Sequence, residues 1–185
     1  MGALHLREDG WLDGALCVPS PNFDHRPEGD VPTLLVIHAI SLPPDEFGGP
    51  GVEQLFTNTL PGDAHPYYAQ IEHLRVSAHF FIRRDGALMQ FVPVHERAWH
   101  AGVSCWNARE RCNDFSVGIE LEGCDSMPFE AVQYERLAAL TRTLQQALPL
   151  SDIAGHSDVA PGRKTDPGPF FDWPRYRSLL AENGD

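Results

Sequence analysis

"VSAHFFIRRDGALMQFVP", residues 76–93, carries the clearest local signal in the chain. Two apolar segments flank Asp85-Gly86, a dipeptide suited to the positive φ angles of a tight turn, so the stretch predicts a β-hairpin. Upstream, "TLLVIH" (33–38) is a continuous run of aliphatic and β-branched residues, and it reads as a strand buried on both faces that ends at His38. "SLPPDEFGGPG" (41–51) is too rich in proline and glycine for regular structure, which predicts a long loop at that strand's end. "VEQLFTN" and "HPYYAQIEHLR" read as short helical pieces.

Downstream, "FSVGIELEG" (115–123) predicts a second strand. Alternation puts Val117, Ile119 and Leu121 on one face and Ser116, Gly118, Glu120 and Glu122 on the other. Residues 128–148 repeat apolar side chains at helical spacing: Phe129, Val132, Leu137, Leu140, Leu144 and Leu148. Pro128 suits a first turn and Pro149 a stop. "DIAGH" (152–156) predicts a short strand, 155–169 a stiff polar loop, and "DWPRYRSLLAE" a terminal helix. Strands interleaved with helices, plus one hairpin, predict an α/β fold: a single domain over residues 1–185 with a mixed central β-sheet flanked by helices.

The chain has 185 residues, 42% of them hydrophobic, enough for one sizeable core. Fourteen Lys and Arg against 26 Asp and Glu give a net charge of -12, which argues against nucleic acid or an anionic membrane as partner. The opening "MGALHLREDGWLDG" shows no secretory pattern, and no apolar run approaches a membrane span. Cys17, Cys105, Cys112 and Cys124 form no C-x-x-C pair, so reduced thiols and a cytoplasmic location are expected.

Three groups fall at strand ends or in adjoining loops: His38, Glu120 and the cluster His156/Lys164/Asp166. Strand ends beside long loops are where α/β folds assemble sites. Two histidines and a carboxylate suffice for a catalytic zinc, which takes three protein ligands. Spacing alone does not choose among them. A histidine ending a buried strand is by default a hydrogen-bonded edge residue, Asp-Pro is a common turn opener, and Asp158 is as good a ligand as Asp166. Glu120 interrupts an apolar strand, and a buried carboxylate needs a partner.

Long strings of this sequence resemble the AmpD family of zinc amidases, which share a fold with peptidoglycan recognition proteins. They include "PSPNFDHRP" (19–27), "LLVIHAISLPPDEFGGP" (34–50), "RAWHAGVS" (97–104), "RERCNDFSVGIELEG" (109–123) and "GHSDVAPGRKTDPGPFFDW" (155–173). The resemblance implies Zn2+ held by His38, His156 and Asp166, with Glu120 as general acid/base and Lys164 stabilising the oxyanion. It also implies substrate contacts from Arg75 and Arg111, to a stem-peptide carboxylate, and from Trp99, to a sugar ring. His79 and His100 are expected to be structural.

The activity so implied is hydrolysis of the N-acetylmuramoyl-L-alanine amide in soluble anhydromuropeptides during cytoplasmic cell-wall recycling, with β-lactamase induction damped as an indirect result. A monomer is expected, with no nucleic-acid or membrane partner. The chain departs from the family pattern at Ala39, where "HNIS" becomes "HAIS", which puts substrate preference in question but not the metal site. An alternative of another class is a peptidoglycan-fragment binding module without catalysis. A further one keeps the enzyme and changes the substrate to intact wall or reducing-end muropeptides.

Overall fold

The computed structural model describes residues 4–182. The first three residues, which open the "MGALHLREDGWLDG" stretch, lie outside that range, as do the last three. Four short strands come first: β1 (His5–Leu6), β2 (Leu12–Asp13), β3 (Leu16–Cys17) and β4 (Phe23–His25). The central strand β5 (Leu34–Ile40) follows, then α1 (Gly51–Phe56) and α2 (Pro66–Ile71). The hairpin strands are β6 (Phe80–Ile82) and β7 (Leu88–Gln90). β8 (Glu96–Ala98), β9 (Cys105–Trp106), β10 (Arg109–Glu110) and a 3-10 turn (Cys112–Phe115) lead into β11 (Ser116–Glu122). The chain closes with α3 (Ala131–Ala147), β12 (Asp152–Gly155), α4 (His156–Val159) and α5 (Trp173–Ala181).

The central sheet runs β12-β5-β11-β6-β7-β3. Its first four strands are mutually parallel, β6 and β7 are antiparallel, and β3 returns parallel to β7. The expected mixed α/β sheet flanked by helices is therefore the observed one. Alternation decides what covers each face. Leu35, Ile37, Val117, Ile119 and Leu121 pack with α3 and Tyr176 of α5 in the main core. Leu34 and Val36, on the opposite face of β5, pack with Ala101, Cys112, Phe115 and Val159. A third cluster joins Phe81 and Met89 to α1 and α2 through Val52, Leu55, Phe56 and Tyr68.

Three local expectations are corrected. The hairpin turns over residues 83–87 rather than on Asp85-Gly86 alone. Gly86 takes φ 81° while Asp85 keeps an ordinary φ, and Arg83 N–H donates to the Ala87 carbonyl at 2.9 Å. The long helix starts at Ala131, not Pro128, because Glu130 is its cap and the Gln133 side-chain oxygen accepts from Glu130 N–H at 3.0 Å. The loop expected over 155–169 begins with a helical turn, α4. There Asp158 accepts from Gly155 N–H at 2.7 Å, which engages Asp158 in capping.

All four cysteines are free thiols. Among the described residues no helix is long and apolar enough to cross a membrane.

Candidate active site

Strand register assembles the centre. Glu120 on β11 is paired with His38 on β5, and Gly155, the last residue of β12, is paired with Ile37. His156 therefore comes off the sheet beside His38, at the C-terminal ends of parallel strands. His38 and Glu120 share the face of Leu34, Val36, Ser116 and Gly118, opposite α3. Asp166 is returned to His156 by the chain itself, since Ser157 N–H donates to the Asp166 carbonyl at 2.8 Å. Thr165, between Lys164 and Asp166, donates to Asp125 at 2.6 Å and ties this stretch to the end of β11.

Three lone-pair atoms converge. His38 Nδ1 lies 2.9 Å from His156 Nδ1 and 3.2 Å from Asp166 Oδ2. His156 Nδ1 lies 3.1 Å from the same Oδ2. Ligands of a tetrahedral zinc with bonds near 2.0–2.2 Å stand roughly 3.3–3.6 Å apart, so the triangle, with sides of 2.9–3.2 Å, would have to open slightly to take such an ion. The chemistry of the donors agrees. His156 Nε2 faces the Ala101 carbonyl oxygen at 3.1 Å, which can only accept. A hydrogen on His156 Nε2 would meet that acceptor and leave Nδ1 with a bare lone pair for the triangle, although the Arg163 guanidinium, which only donates, also stands 3.5 Å from Nε2. His38, His156 and Asp166 can thus hold a metal.

The electrostatics separate the two carboxylates. Burial, followed by the Asp166 charge, pushes the Glu120 carboxyl well above its ordinary range, and Lys164 offsets this only in part. Burial also raises Asp166, but hydrogen bonds with His156 and His38 outweigh it and hold Asp166 below the usual carboxylate range. Burial lowers the His38 imidazole to about 4. Glu120 Oε2 is buried and meets no hydrogen-bond partner among the described residues, while Oε1 stands 3.9 Å from His38 Nδ1. A carboxylate left so exposed to unmet demand is poised to take a proton.

A cavity of about 530 Å³ opens over this centre, bordered by Glu120, His156, Lys164 and Asp166 on one side and Tyr67 and Trp99 on others. Trp99 is held by its indole N–H, which donates to Asp24 at 3.0 Å; Asp24 in turn binds Arg97. Ala39 borders the cavity but packs against the main core.

Two predicted contacts stand elsewhere. Arg75 is exposed and donates to the carbonyls of Glu72 and Leu74, outside the residues bordering the cavity. Arg111 is exposed, pairs with Asp114 at 3.2 Å and borders two separate depressions. Beyond the structural role expected of it, His100 touches His38. His100 Nδ1 lies 2.9 Å from His38 Nε2. The available signal was Gly118, a glycine inside a strand, which marks a close approach.

Residues 28–169 match the family model described as N-acetylmuramoyl-L-alanine amidase. The chain is 58% identical over 179 residues to the 1,6-anhydro-N-acetylmuramyl-L-alanine amidase AmpD of Escherichia coli K12, covering 96% of this chain and 98% of that one. The chain belongs to the AmpD family of N-acetylmuramoyl-L-alanine amidases. An AmpD crystal structure, of a selenomethionine derivative, superimposes with TM-score 0.92 at 56% identity, covering 95% of this chain and 99% of that one. A more distant amidase, AmiD of E. coli, was solved with the substrate anhydro-N-acetylmuramic acid-L-Ala-D-gamma-Glu-L-Lys. It matches with TM-score 0.58 at 26% identity, over 96% of this chain and 65% of its own.

Proposed function

We propose that this AmpD-family chain is a zinc amidase that hydrolyses the bond between the lactyl carbonyl of 1,6-anhydro-N-acetylmuramic acid and the amine of L-alanine. Its setting is the cytoplasmic recycling of wall fragments, where removing those fragments also limits β-lactamase induction. The observation that carries the reading is the triangle of His38 Nδ1, His156 Nδ1 and Asp166 Oδ2 beside the unpartnered Glu120 Oε2.

His38, His156 and Asp166 hold the zinc. When bound, zinc supplies a Lewis acid for the scissile carbonyl and draws the pKa of water down towards about 7. Glu120 accepts the proton of the attacking water as the oxygen–carbon bond forms. The carboxyl then gives that proton to the alanine nitrogen as the carbon–nitrogen bond breaks. A Glu120 pKa raised by burial suits both halves of this exchange, since the group must release the proton as readily as it takes it. Lys164, at the cavity edge two residues before Asp166, donates to the negative charge that develops on the carbonyl oxygen. Trp99, fixed by Asp24, offers a flat wall for the sugar ring.

Arg75 and Arg111 do not border the cavity in this conformation. A role for either in gripping the stem peptide requires its long side chain to swing towards the opening. The proposed substrates are small soluble muropeptides met by a monomer, without a nucleic-acid or membrane partner.

Turnover of anhydro- and reducing-end muropeptides, compared side by side on zinc-loaded protein, tests this assignment. Faster release of L-alanine-terminated peptide from the anhydro substrate is expected. Equal rates would remove the anhydro preference, and no turnover of either by zinc-loaded protein would favour a fragment-binding module.

A further inference from the structure

His38 has two ring nitrogens, and the proposed metal site uses only one. The other, Nε2, lies 2.9 Å from His100 Nδ1, with the two rings at 89° to each other. His100 continues the line, its Nε2 standing 3.1 Å from Ser116 Oγ. For His38 Nδ1 to offer a lone pair, the His38 proton must sit on Nε2, and His100 Nδ1 must then accept it. The second proton assignment follows: His100 carries its own hydrogen on Nε2, donated to Ser116.

The fold makes room for this contact. A Cβ placed on Gly118 would stand 2.5 Å from His100 Cγ and 2.6 Å from its Nδ1. Glycine at this buried strand position therefore lets the ring lie against β11. The segment bearing His100 is also pinned from outside. Asn113 Oδ1 accepts from His100 N–H at 3.2 Å and Ala101 N–H at 2.8 Å, and Ser77 Oγ accepts from Trp99 N–H at 3.1 Å. Ala101 then supplies the carbonyl that accepts from His156 Nε2. One short segment, Trp99–Ala101, thus orients both histidines of the triangle.

We infer that His100 is a positioning residue, which holds His38 as the Nε2–H tautomer with Nδ1 free for the metal, and that Gly118 exists to admit its ring. The inference rests on the metal site proposed above. Partners of this kind fix ring orientation and raise ligand basicity, and their loss weakens metal binding about 10–100-fold.

The test compares His100→Asn, whose side-chain oxygen can stand in for Nδ1, with His100→Leu, of similar shape but without an acceptor. Zinc dissociation constants come from competition with a chelator, and nitrogen-15 NMR of the zinc-loaded parent reads the tautomer of His100. Leu, and Gly118→Ala by displacing the ring, should each weaken zinc binding about 10–100-fold, while Asn stays near the parent. The parent should show His100 protonated on Nε2. A Leu variant that binds as tightly as the parent, or an Asn variant that loses as much as Leu, overturns the inference. If the Leu chain does not fold, the parent's tautomer decides alone, and a proton on His100 Nδ1 overturns it. Failure of the parent itself to bind zinc would instead overturn the metal site on which the inference depends.

Discussion

Glu120 and His38 face one another across the β11–β5 ladder, with Glu120 Oε1 3.9 Å from His38 Nδ1. Parallel pairing of two buried strands thus places the proposed proton carrier directly beside a proposed metal ligand, and neither position depends on a loop.

Replacing Glu120 by Gln should leave zinc bound and lower turnover by about 10²–10⁴-fold, the usual contribution of a positioned general base. Unchanged turnover would remove Glu120 from the chemistry. The same variant has a thermodynamic signature in the metal-free protein. Because the native Glu120 pKa lies above its ordinary value of 4.5, the folded chain keeps a proton that the unfolded chain gives up. Stability from this group is present below about pH 4.5 and is lost as pH rises towards the native value. Glu120→Gln escapes that loss, so its stability advantage in urea titrations should grow with pH; a gap that shrinks instead contradicts the assignment.

Lys164→Met should keep zinc and KM while reducing kcat by about 10²–10³-fold, the cost of removing one donor to a developing oxyanion. A change confined to KM would make Lys164 a binding group only.

Glu122 ties the 41–50 loop to the hairpin. Glu122, a residue only 4% exposed, accepts through its carboxylate from the backbone N–H of Gly48 on one side and of Arg84 at 3.0 Å on the other. Glu122→Ala leaves two donors without their acceptor, at about 1–3 kcal/mol for a buried group. Deuterium exchange at Gly48 and Arg84 should accelerate and KM should rise, with zinc content unaffected. Unaltered exchange at both amides would show that the loop is held by other contacts.

Acid should unfold the metal-free chain through its buried imidazoles. Burial and the charge of Arg26 lower His79 from 6.5 to about 3, so the native ring stays neutral where the unfolded one takes a proton. Its stabilising contribution is full above pH 6.5 and falls by about 1.4 kcal/mol per pH unit below it. His38 and His100 are lowered in the same direction, chiefly by burial. His79→Asn, which keeps an acceptor for Gly118 N–H, should flatten the slope of stability against pH by one proton's worth. An unchanged slope contradicts a neutral His79.

Much of this was legible in the sequence, for physical reasons. The runs at 33–38 and 115–123 are long and apolar enough to declare buried strands, and Glu120 stands out because it breaks one. The two- and three-residue strands β1 to β4 and β8 to β10 carry no periodicity, and α4 is too short to show any. Asp158 and Asp166 were equivalent until the fold gave Asp158 to the Gly155 amide and Asp166 to the histidines. The tie from His100 to His38 joins residues 62 positions apart. Only the glycine at 118 hinted at it.

If His38, His156 and Asp166 form one zinc site, removing any one of them should empty it. Elemental analysis of the parent and Asp166→Ala, each reconstituted with zinc and dialysed, tests it most directly. One zinc per parent chain and well below one for the variant are expected. Equal zinc in both would contradict it.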